Sequence, residues 1–233
     1  MKTLYIFLLL VINNIVFAQQ PQGIITYEIV LGDDPRALMR EVDTQRLRNA
    51  QKLAQELSFN LYFTGSESYF EINELPIDTK YFSNLFVESS TQPEYSVYCN
   101  LNQEEYSYNF FNKFKSQTYL LKDKANYKWN ITNESKIINN ITVYKAIGKT
   151  LENEKIEAWF APEIPVSAGP EIYMGLPGLI LEMQIGYTKY VTKKIEFTEN
   201  YIKNIKKISE GKPINQTDYL KILEEETGFY GGN

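Results

Sequence analysis

The sequence of 233 residues contains no histidine and a single cysteine. The missing histidine excludes Ser-His-Asp and Cys-His catalytic machinery, as well as zinc sites that use histidine ligands. Any catalysis would have to use carboxylates, tyrosine, lysine or a bound metal. The lone Cys99 cannot form an intramolecular disulfide, and we predict a buried thiol, because nothing in the surrounding sequence lowers a thiol pKa.

Long apolar runs are confined to the N-terminus. There, Lys2 and an apolar stretch from Leu4 to Val16 lead to Ala18, which predicts a secretory signal peptide over residues 1–18. No later stretch reaches the ~18 apolar residues that a spanning helix needs. The chain carries 24 basic and 29 acidic residues, and this net negative charge argues against nucleic acid as a partner. We therefore expect an exported protein, periplasmic or secreted, with one domain over residues 19–233 and no transmembrane span in the mature chain.

Most of the remaining sequence has the pattern of short β-strands. Residues from Gly23 to Leu31 alternate in the way that is typical of a strand. From Tyr95 onward, segments rich in tyrosine and phenylalanine are separated by polar or glycine-bearing turns, which predicts an antiparallel meander. The predicted fold class is mainly β (α+β): a curved antiparallel sheet, half-barrel-like, with a long N-terminal helix and a short C-terminal helix.

The two predicted helices lie near opposite ends of the mature chain. The first begins at Asp34, which can cap it, and at Pro35, which suits the first turn, and it runs to about Leu57. The second covers Thr217 to Thr227. Apolar residues recur along the first helix at helical spacing and predict one apolar stripe: Leu38, Val42, Ala50, Leu53 and Leu57.

The first helix contains all four arginines of the chain. Arg46 falls within the apolar stripe, whereas Arg36, Arg40 and Arg48 fall outside it. An arginine on a buried face needs an acidic partner or an anionic ligand. One interpretation is that Arg46 is paired internally or extends to solvent at the edge of the stripe. The other is that Arg46 anchors a carboxylate or phosphate head group inside the curved sheet.

Four of the nine prolines lie between Ala161 and Gly178. A helix cannot form there, yet most of the other residues in this stretch are apolar. We predict an ordered loop packed against the core, because each proline removes an N–H donor that burial would otherwise leave unpaired. Pro177 and Gly178 fit the central positions of a type II turn, in which Gly178 would have a positive φ. The β-patterned sequence that follows and the lack of a nearby lysine make a phosphate-binding loop a poor match.

The stretch "AWFAPEIPVSAGPEIYMGLPGLILEM", residues 158–183, resembles the signature block of the GLPGLI family, a group of exported proteins from Gram-negative bacteria. The six letters of the family name stand at residues 175–180, and Trp129 to Gly148 resembles the preceding block. The resemblance implies a cell-envelope protein whose biochemical role is not established. The motif residues, interpreted as structural or ligand-contacting, are Trp159, Pro162, Ile164, Pro165, Gly169, Pro170, Gly175, Leu176, Pro177, Gly178, Leu179 and Ile180.

The strand-rich plan with a long helix is also similar to the half-barrels of periplasmic lipoprotein carriers, which hold acyl chains. The expected function is therefore non-enzymatic binding of an apolar or amphipathic ligand, such as a lipid or a peptide, or support of an outer-membrane transport or assembly system through an outer-membrane protein partner. A carboxylate-based hydrolase and a structural or adhesive surface module are the alternatives. The sequence lacks the spacing of a calcium loop or of paired catalytic carboxylates, so we expect no catalytic residues, no metal and no cofactor.

Overall fold

The computed structural model describes residues 21–35, 37–74, 95–112, 115–150, 153–200 and 202–227. The predicted signal peptide, residues 1–18, lies outside these ranges.

The described residues form twelve strands in one open, curved sheet. The order across the sheet is β12-β6-β5-β4-β3-β2-β1-β11-β10-β9-β8-β7. The strands are β1 (Gly23–Leu31), β2 (Ser58–Phe63), β3 (Glu67–Glu74), β4 (Ser96–Asn100), β5 (Glu105–Asn112), β6 (Gln117–Lys124), β7 (Asn130–Ile138), β8 (Ile141–Lys149), β9 (Lys155–Ala161), β10 (Leu179–Ile185), β11 (Thr188–Phe197) and β12 (Lys212–Ile214).

The pairing of neighbouring strands is antiparallel except at β12, which pairs in parallel with β6. The mainly β fold class and the antiparallel meander are confirmed, and the single parallel pair makes the sheet mixed. The sequence did not predict β12, because this strand has three residues, one of them Pro213, and pairs far back along the chain. A proline is tolerated there because the strand lies at the edge of the sheet.

The described residues also form two α-helices: α1 (Glu41–Ala54) and α2 (Gln216–Thr227). The second agrees with its predicted position. The first begins later than predicted, because the chain forms a short 3-10 turn at Ala37–Met39 and Arg40 then adopts an extended conformation with φ −128°. Asp34 therefore precedes the 3-10 turn rather than capping α1.

The predicted apolar stripe of the first helix is buried only at its C-terminal end. Ala54 and the following Leu57 are buried in the main hydrophobic cluster. Leu38 and Val42 are 41% and 64% exposed. The expectation that one continuous stripe packs on the sheet is therefore wrong for the N-terminal half, where the helix extends beyond its contact with the sheet.

The sheet has two faces that we name by what they carry. The inner face holds the main hydrophobic cluster, to which Phe59, Leu61 and Phe63 of β2 contribute. The outer face holds a smaller cluster that is covered by the segment between β11 and β12. Its members are Ile24, Tyr62, Tyr69 and Tyr98, with Ile205 and Ile208 packed against them.

Candidate functional site

Residues 162–178, which we call the inner segment, join β9 to β10 and pack into the main hydrophobic cluster. This confirms the prediction of an ordered loop packed against the core. The chain itself therefore covers part of the inner face, where a ligand held inside a curved sheet would lie. The apolar side chains of the inner segment that are buried in the cluster are Ile164, Val166, Ala168, Tyr173, Met174 and Leu176.

Side chains hold the irregular backbone of the inner segment in place. The indole Nε1 of Trp129 donates a hydrogen bond to the backbone carbonyl of Met174 at 2.9 Å. The hydroxyl oxygen of Ser167 accepts one from the backbone N–H of Gly175 at 2.8 Å. These bonds satisfy backbone groups that the strand ladders do not reach, as a packed loop requires.

Gly178, the second glycine of the GLPGLI letters, has a role different from the predicted one. Gly175 has a positive φ of 96°, whereas Gly178 does not have a positive φ. A Cβ atom on Gly178 would lie 2.6 Å from the carbonyl carbon of Ala161 and 2.9 Å from the nitrogen of Pro162. The type II turn with positive φ at Gly178 is therefore wrong, and glycine is needed there because another part of the backbone passes too close for a side chain.

The motif residues divide between buried and exposed positions. The structure does not place all of them at one surface that a ligand could reach. Buried are Ile164, Gly169, Pro170, Leu176, Gly178, Leu179 and Ile180; exposed are Pro162, Pro165, Gly175 and Pro177.

Trp159 is half-buried, packs against the main hydrophobic cluster and also lies beside two lysines. The ammonium groups of Lys136 and Lys145 stand 4.2 Å and 5.6 Å from the centre of its ring, distances at which cation–π attraction operates. Lys136 also pairs with Glu182 at 2.8 Å, as does Lys189. These contacts hold the Trp159 ring in place on β9 and favour a structural role for this motif residue.

Arg46 is not on a buried face. Its side chain is 56% exposed and its ion pair with Asp43 spans 3.6 Å. This agrees with the interpretation that Arg46 is paired internally or extends to solvent. It does not point into the sheet, because it lies on the N-terminal side of the buried region at Ala54 and Leu57. An anchor for a ligand inside the curved sheet therefore has no support at this residue.

Glu171 places a carboxyl group inside the protein, although the residue as a whole is partly exposed. This carboxyl group accepts a hydrogen bond from the hydroxyl of Tyr190. Burial raises the pKa of Glu171, and the hydrogen bond from Tyr190 opposes that shift only in part. The backbone carbonyl of Glu171 accepts a hydrogen bond from the thiol of Cys99 at 3.6 Å. Cys99 is buried, as predicted, and burial raises its pKa to about 12.

A carboxyl group with a raised pKa can act as a proton donor. Glycosidase-type hydrolysis needs a second carboxylate on the other side of the same cleft. Glu182 is also buried, but it binds Lys136 and Lys189 on the outer face, whereas Glu171 meets Tyr190 on the inner face. In the part of the chain that the structure describes, no group of three histidine, cysteine, aspartate or glutamate residues could hold a metal ion.

A groove of about 680 Å³ crosses the outer face over strands β3 to β6, beneath the segment 206–210. We call it the outer groove. The side-chain oxygen Oδ1 of Asn109 is buried there and has no hydrogen-bond partner among the described residues. The groove is lined by aromatic rings, hydroxyl groups and charged groups, among them Tyr69, Glu71, Ser96, Phe111, Thr118 and Lys206.

The charges around the outer groove have both signs. Glu71 and Glu210 contribute carboxylates, and Lys206 and Lys207 contribute ammonium groups. Lys206 stands 5.9 Å from the centre of the Tyr69 ring. The arrangement can accept a molecule that has apolar surface, hydrogen-bond donors and charge.

Sequence reasoning did not find the outer groove. Its residues come from four strands and one later segment, and no local spacing links them. Asn109 stands in a stretch of aromatic residues, "YSYNFF", that predicted only a strand. Whether its oxygen is buried and unpaired depends on the neighbouring strands and the covering segment, which the local sequence does not specify.

The family model described as "Protein of unknown function (Porph_ging)" matches residues 148–182 of this chain. The match covers β9, the inner segment and the start of β10. No curated protein matches the chain. Among the helices of the described ranges, none has the length and apolar character needed to cross a membrane.

Two structures of PNGF-II, in space groups C2 and P21, are similar to this chain. Each has a TM-score of 0.54 and 15% sequence identity and covers 87% of this chain. The aligned region is 32% and 33% of the respective PNGF-II chains, so this chain spans about a third of their length. An uncharacterized conserved protein from Thermus thermophilus aligns with 8% identity over 85% of this chain and 92% of its own, with a TM-score of 0.39. The likeness to PNGF-II supports the mainly β fold.

Proposed function

We propose that the protein is an exported cell-envelope protein that binds an amphipathic ligand, a lipid or a peptide, in the outer groove without catalysing a reaction. The observation that carries this proposal is the buried Oδ1 of Asn109. A buried acceptor without a partner costs about 1–3 kcal/mol, so a ligand that supplies a donor recovers that free energy. The other lining groups suit the remainder of an amphipathic molecule.

The inner face is a less favourable place for such a ligand. Ile164, Met174 and Leu176 of the inner segment are already buried against the sheet there. An acyl chain would have to displace them and break the hydrogen bond between Trp129 and Met174. In the outer groove the described residues leave an open volume, and only the covered Oδ1 of Asn109 has to become accessible to a ligand donor.

Export and family membership belong to the same proposal. The N-terminal pattern over residues 1–18 has the features of a signal peptide. The letters at residues 175–180 are those of the GLPGLI family, and the matched range 148–182 overlaps that block. Both features support a protein of the cell envelope, periplasmic or secreted.

Native mass spectrometry of the full chain, isolated from the envelope of the organism that encodes it, tests the proposal. We expect a bound small molecule in the wild type and its loss in Asn109→Leu, which removes the acceptor. Asn133→Leu is the matched control, because Asn133 is an exposed asparagine on β7, outside the groove. We expect Asn133→Leu to retain the bound molecule.

The stability of the ligand-free Asn109→Leu variant separates loss of binding from loss of the fold. Replacing an unpaired buried acceptor with an apolar group should leave the free energy of unfolding unchanged or slightly higher. A wild-type mass with no bound molecule would contradict the proposal. So would a molecule that stays bound equally well in Asn109→Leu.

A further inference from the structure

A second pocket of about 330 Å³ opens on the outer face beside the outer groove. We call it the bulge pocket, because two β-bulges form it. Glu71 of the outer groove and Asn73 of the bulge pocket are two residues apart on β3, roughly 7 Å along a strand. The residues that line the bulge pocket are Thr26, Ser58, Asn73, Lys193 and Lys194.

The first bulge lies between β1 and β11. Thr26 pairs with Lys194 and Tyr27 pairs with Thr192, so Lys193 is the extra residue of the bulge on β11. A bulge changes the direction of side chains. Lys193 and Lys194 are consecutive, which in a regular strand would place them on opposite faces, yet both line the same pocket.

The second bulge lies between β2 and β3. Ser58 pairs with Glu74 and Phe59 pairs with Ile72, so Asn73 is the extra residue. Its side chain reaches the outer face, where its amide nitrogen donates a hydrogen bond to the Ser58 hydroxyl oxygen at 3.1 Å. Two independent irregularities, on strands that flank β1 and β2, thus direct side chains into one pocket.

Hydrogen bonds inside the bulge pocket run in one direction and end at Ser58. The hydroxyl of Thr26 donates to Oδ1 of Asn60 at 3.0 Å, and the amide nitrogen of Asn60 donates to Oδ1 of Asn73 at 2.9 Å. Asn73 in turn donates to the oxygen of Ser58. Among the hydrogen bonds of the described residues, Ser58 accepts this one and donates none, and the residue is 5% exposed.

From this geometry we infer that the bulge pocket binds a small oxyanion, a phosphate or a carboxylate group. Ser58 supplies a directed hydroxyl donor, and Lys193 and Lys194 supply two ammonium groups. The lysines already meet carboxylates, Lys193 with Glu28 at 2.7 Å and Lys194 with Glu196 at 2.8 Å. Both glutamates are partly exposed, and such surface ion pairs are weak enough for an incoming oxyanion to replace them.

The oxyanion can be free or can be the head group of the molecule in the outer groove. The second case rests on the proposed function, whereas the anion site does not. Inorganic phosphate and acetate are therefore the probes, because neither needs the groove. Asn109→Leu should leave their binding unchanged even if it abolishes binding of a larger molecule.

The experiment is a titration of the full chain with phosphate or acetate at constant ionic strength, followed by the amide NMR signals of the pocket. We expect saturable shifts at residues 26, 58, 73, 193 and 194. Lys193→Met, Lys194→Met and Ser58→Ala should each weaken binding at least several-fold. Glu28→Gln should strengthen it, because the competing carboxylate is removed.

Lys155→Met is the matched control. Lys155 is 64% exposed and pairs with Glu157 two residues away, just as Lys194 is 63% exposed and pairs with Glu196. It should not change the affinity. Because both lysines are exposed, their variants should fold, and circular dichroism checks this. The inference would be overturned if the wild type showed no saturable shifts. It would also be overturned if Lys193→Met and Lys194→Met both bound the probes with the affinity of the wild type.

Discussion

The backbone of Ala161 passes so close to Gly178 that no side chain fits between them. A Cβ atom at residue 178 would lie 2.6 Å from the carbonyl carbon of Ala161. Because Ala161 ends β9 and Gly178 precedes β10, this contact fixes how the inner segment closes on the sheet. Gly178 therefore acts through close packing of two backbones.

We expect Gly178→Ala to lower the free energy of unfolding by about 2 kcal/mol, since added atoms in a packed region force the backbone to shift. Gly178→Asn should be at least as harmful. Asparagine tolerates positive φ better than most residues, so it would be the mildest change if positive φ were the constraint. Urea unfolding followed by circular dichroism measures both variants.

Gly175 provides the opposite control. Its φ is 96° and the nearest atom to an added Cβ would be 3.5 Å away, on Trp129. There, Gly175→Asn should cost less than Gly175→Ala, because the constraint is conformational. If asparagine were milder than alanine at residue 178 but not at residue 175, our assignment of close packing to Gly178 and of positive φ to Gly175 would be wrong.

This pair of glycines shows which features of the inner segment can be predicted from the sequence and which cannot. The pattern of residues 161–178 predicted a packed, irregular loop, because prolines and apolar residues act locally. It could not show which glycine meets another backbone, since that depends on the pairing of β9 with β10. The same limit applies to Lys193 and Asn73, which face one pocket only because of the register of four strands.

The first helix shows a different limit. Helical spacing placed Arg46 in an apolar stripe, and this part of the chain does form an α-helix. Burial depends on where the helix ends relative to the sheet, and here only the region of Ala54 and Leu57 is covered. Periodicity predicts which residues share a face, but it does not specify which turns of that face find a partner.

Trp129 should stabilise the inner segment through its indole nitrogen. Trp129→Phe keeps an aromatic ring and removes the donor to the Met174 carbonyl, so we expect a loss of about 1 kcal/mol. Trp159→Phe is the control, since a phenyl ring can still lie under Lys136. Urea unfolding followed by far-UV circular dichroism compares the two, and an equal or greater loss for Trp159→Phe would contradict the assignment.

Cys99 should react slowly with alkylating reagents in the folded protein. The thiolate is the reactive form, and burial raises the pKa of Cys99 to about 12. Mass spectrometry after incubation with iodoacetamide at mildly alkaline pH should show little modification, and addition of urea should give complete modification. Rapid labelling without urea would mean that the inner face is open to solvent.

Glu171 should make the stability of the fold depend on pH in a defined direction. Burial raises the pKa of Glu171 in the folded state above its value in the unfolded chain. Below the unfolded-state value, the carboxyl group is neutral in both states and its contribution to stability is fully present. As the pH rises through the folded-state value, that contribution is lost, because the unfolded chain accommodates the charge in water.

Glu171→Gln isolates this effect, because glutamine can still accept the hydrogen bond from Tyr190 and does not ionise. The free energy of unfolding of the wild type minus that of the variant should fall as the pH rises above the ordinary carboxyl range. Glu163→Gln, at an exposed position of the same segment, should give no such trend. A difference that rises with pH would mean that the folded protein favours the charged carboxylate, which its buried position beside Tyr190 argues against.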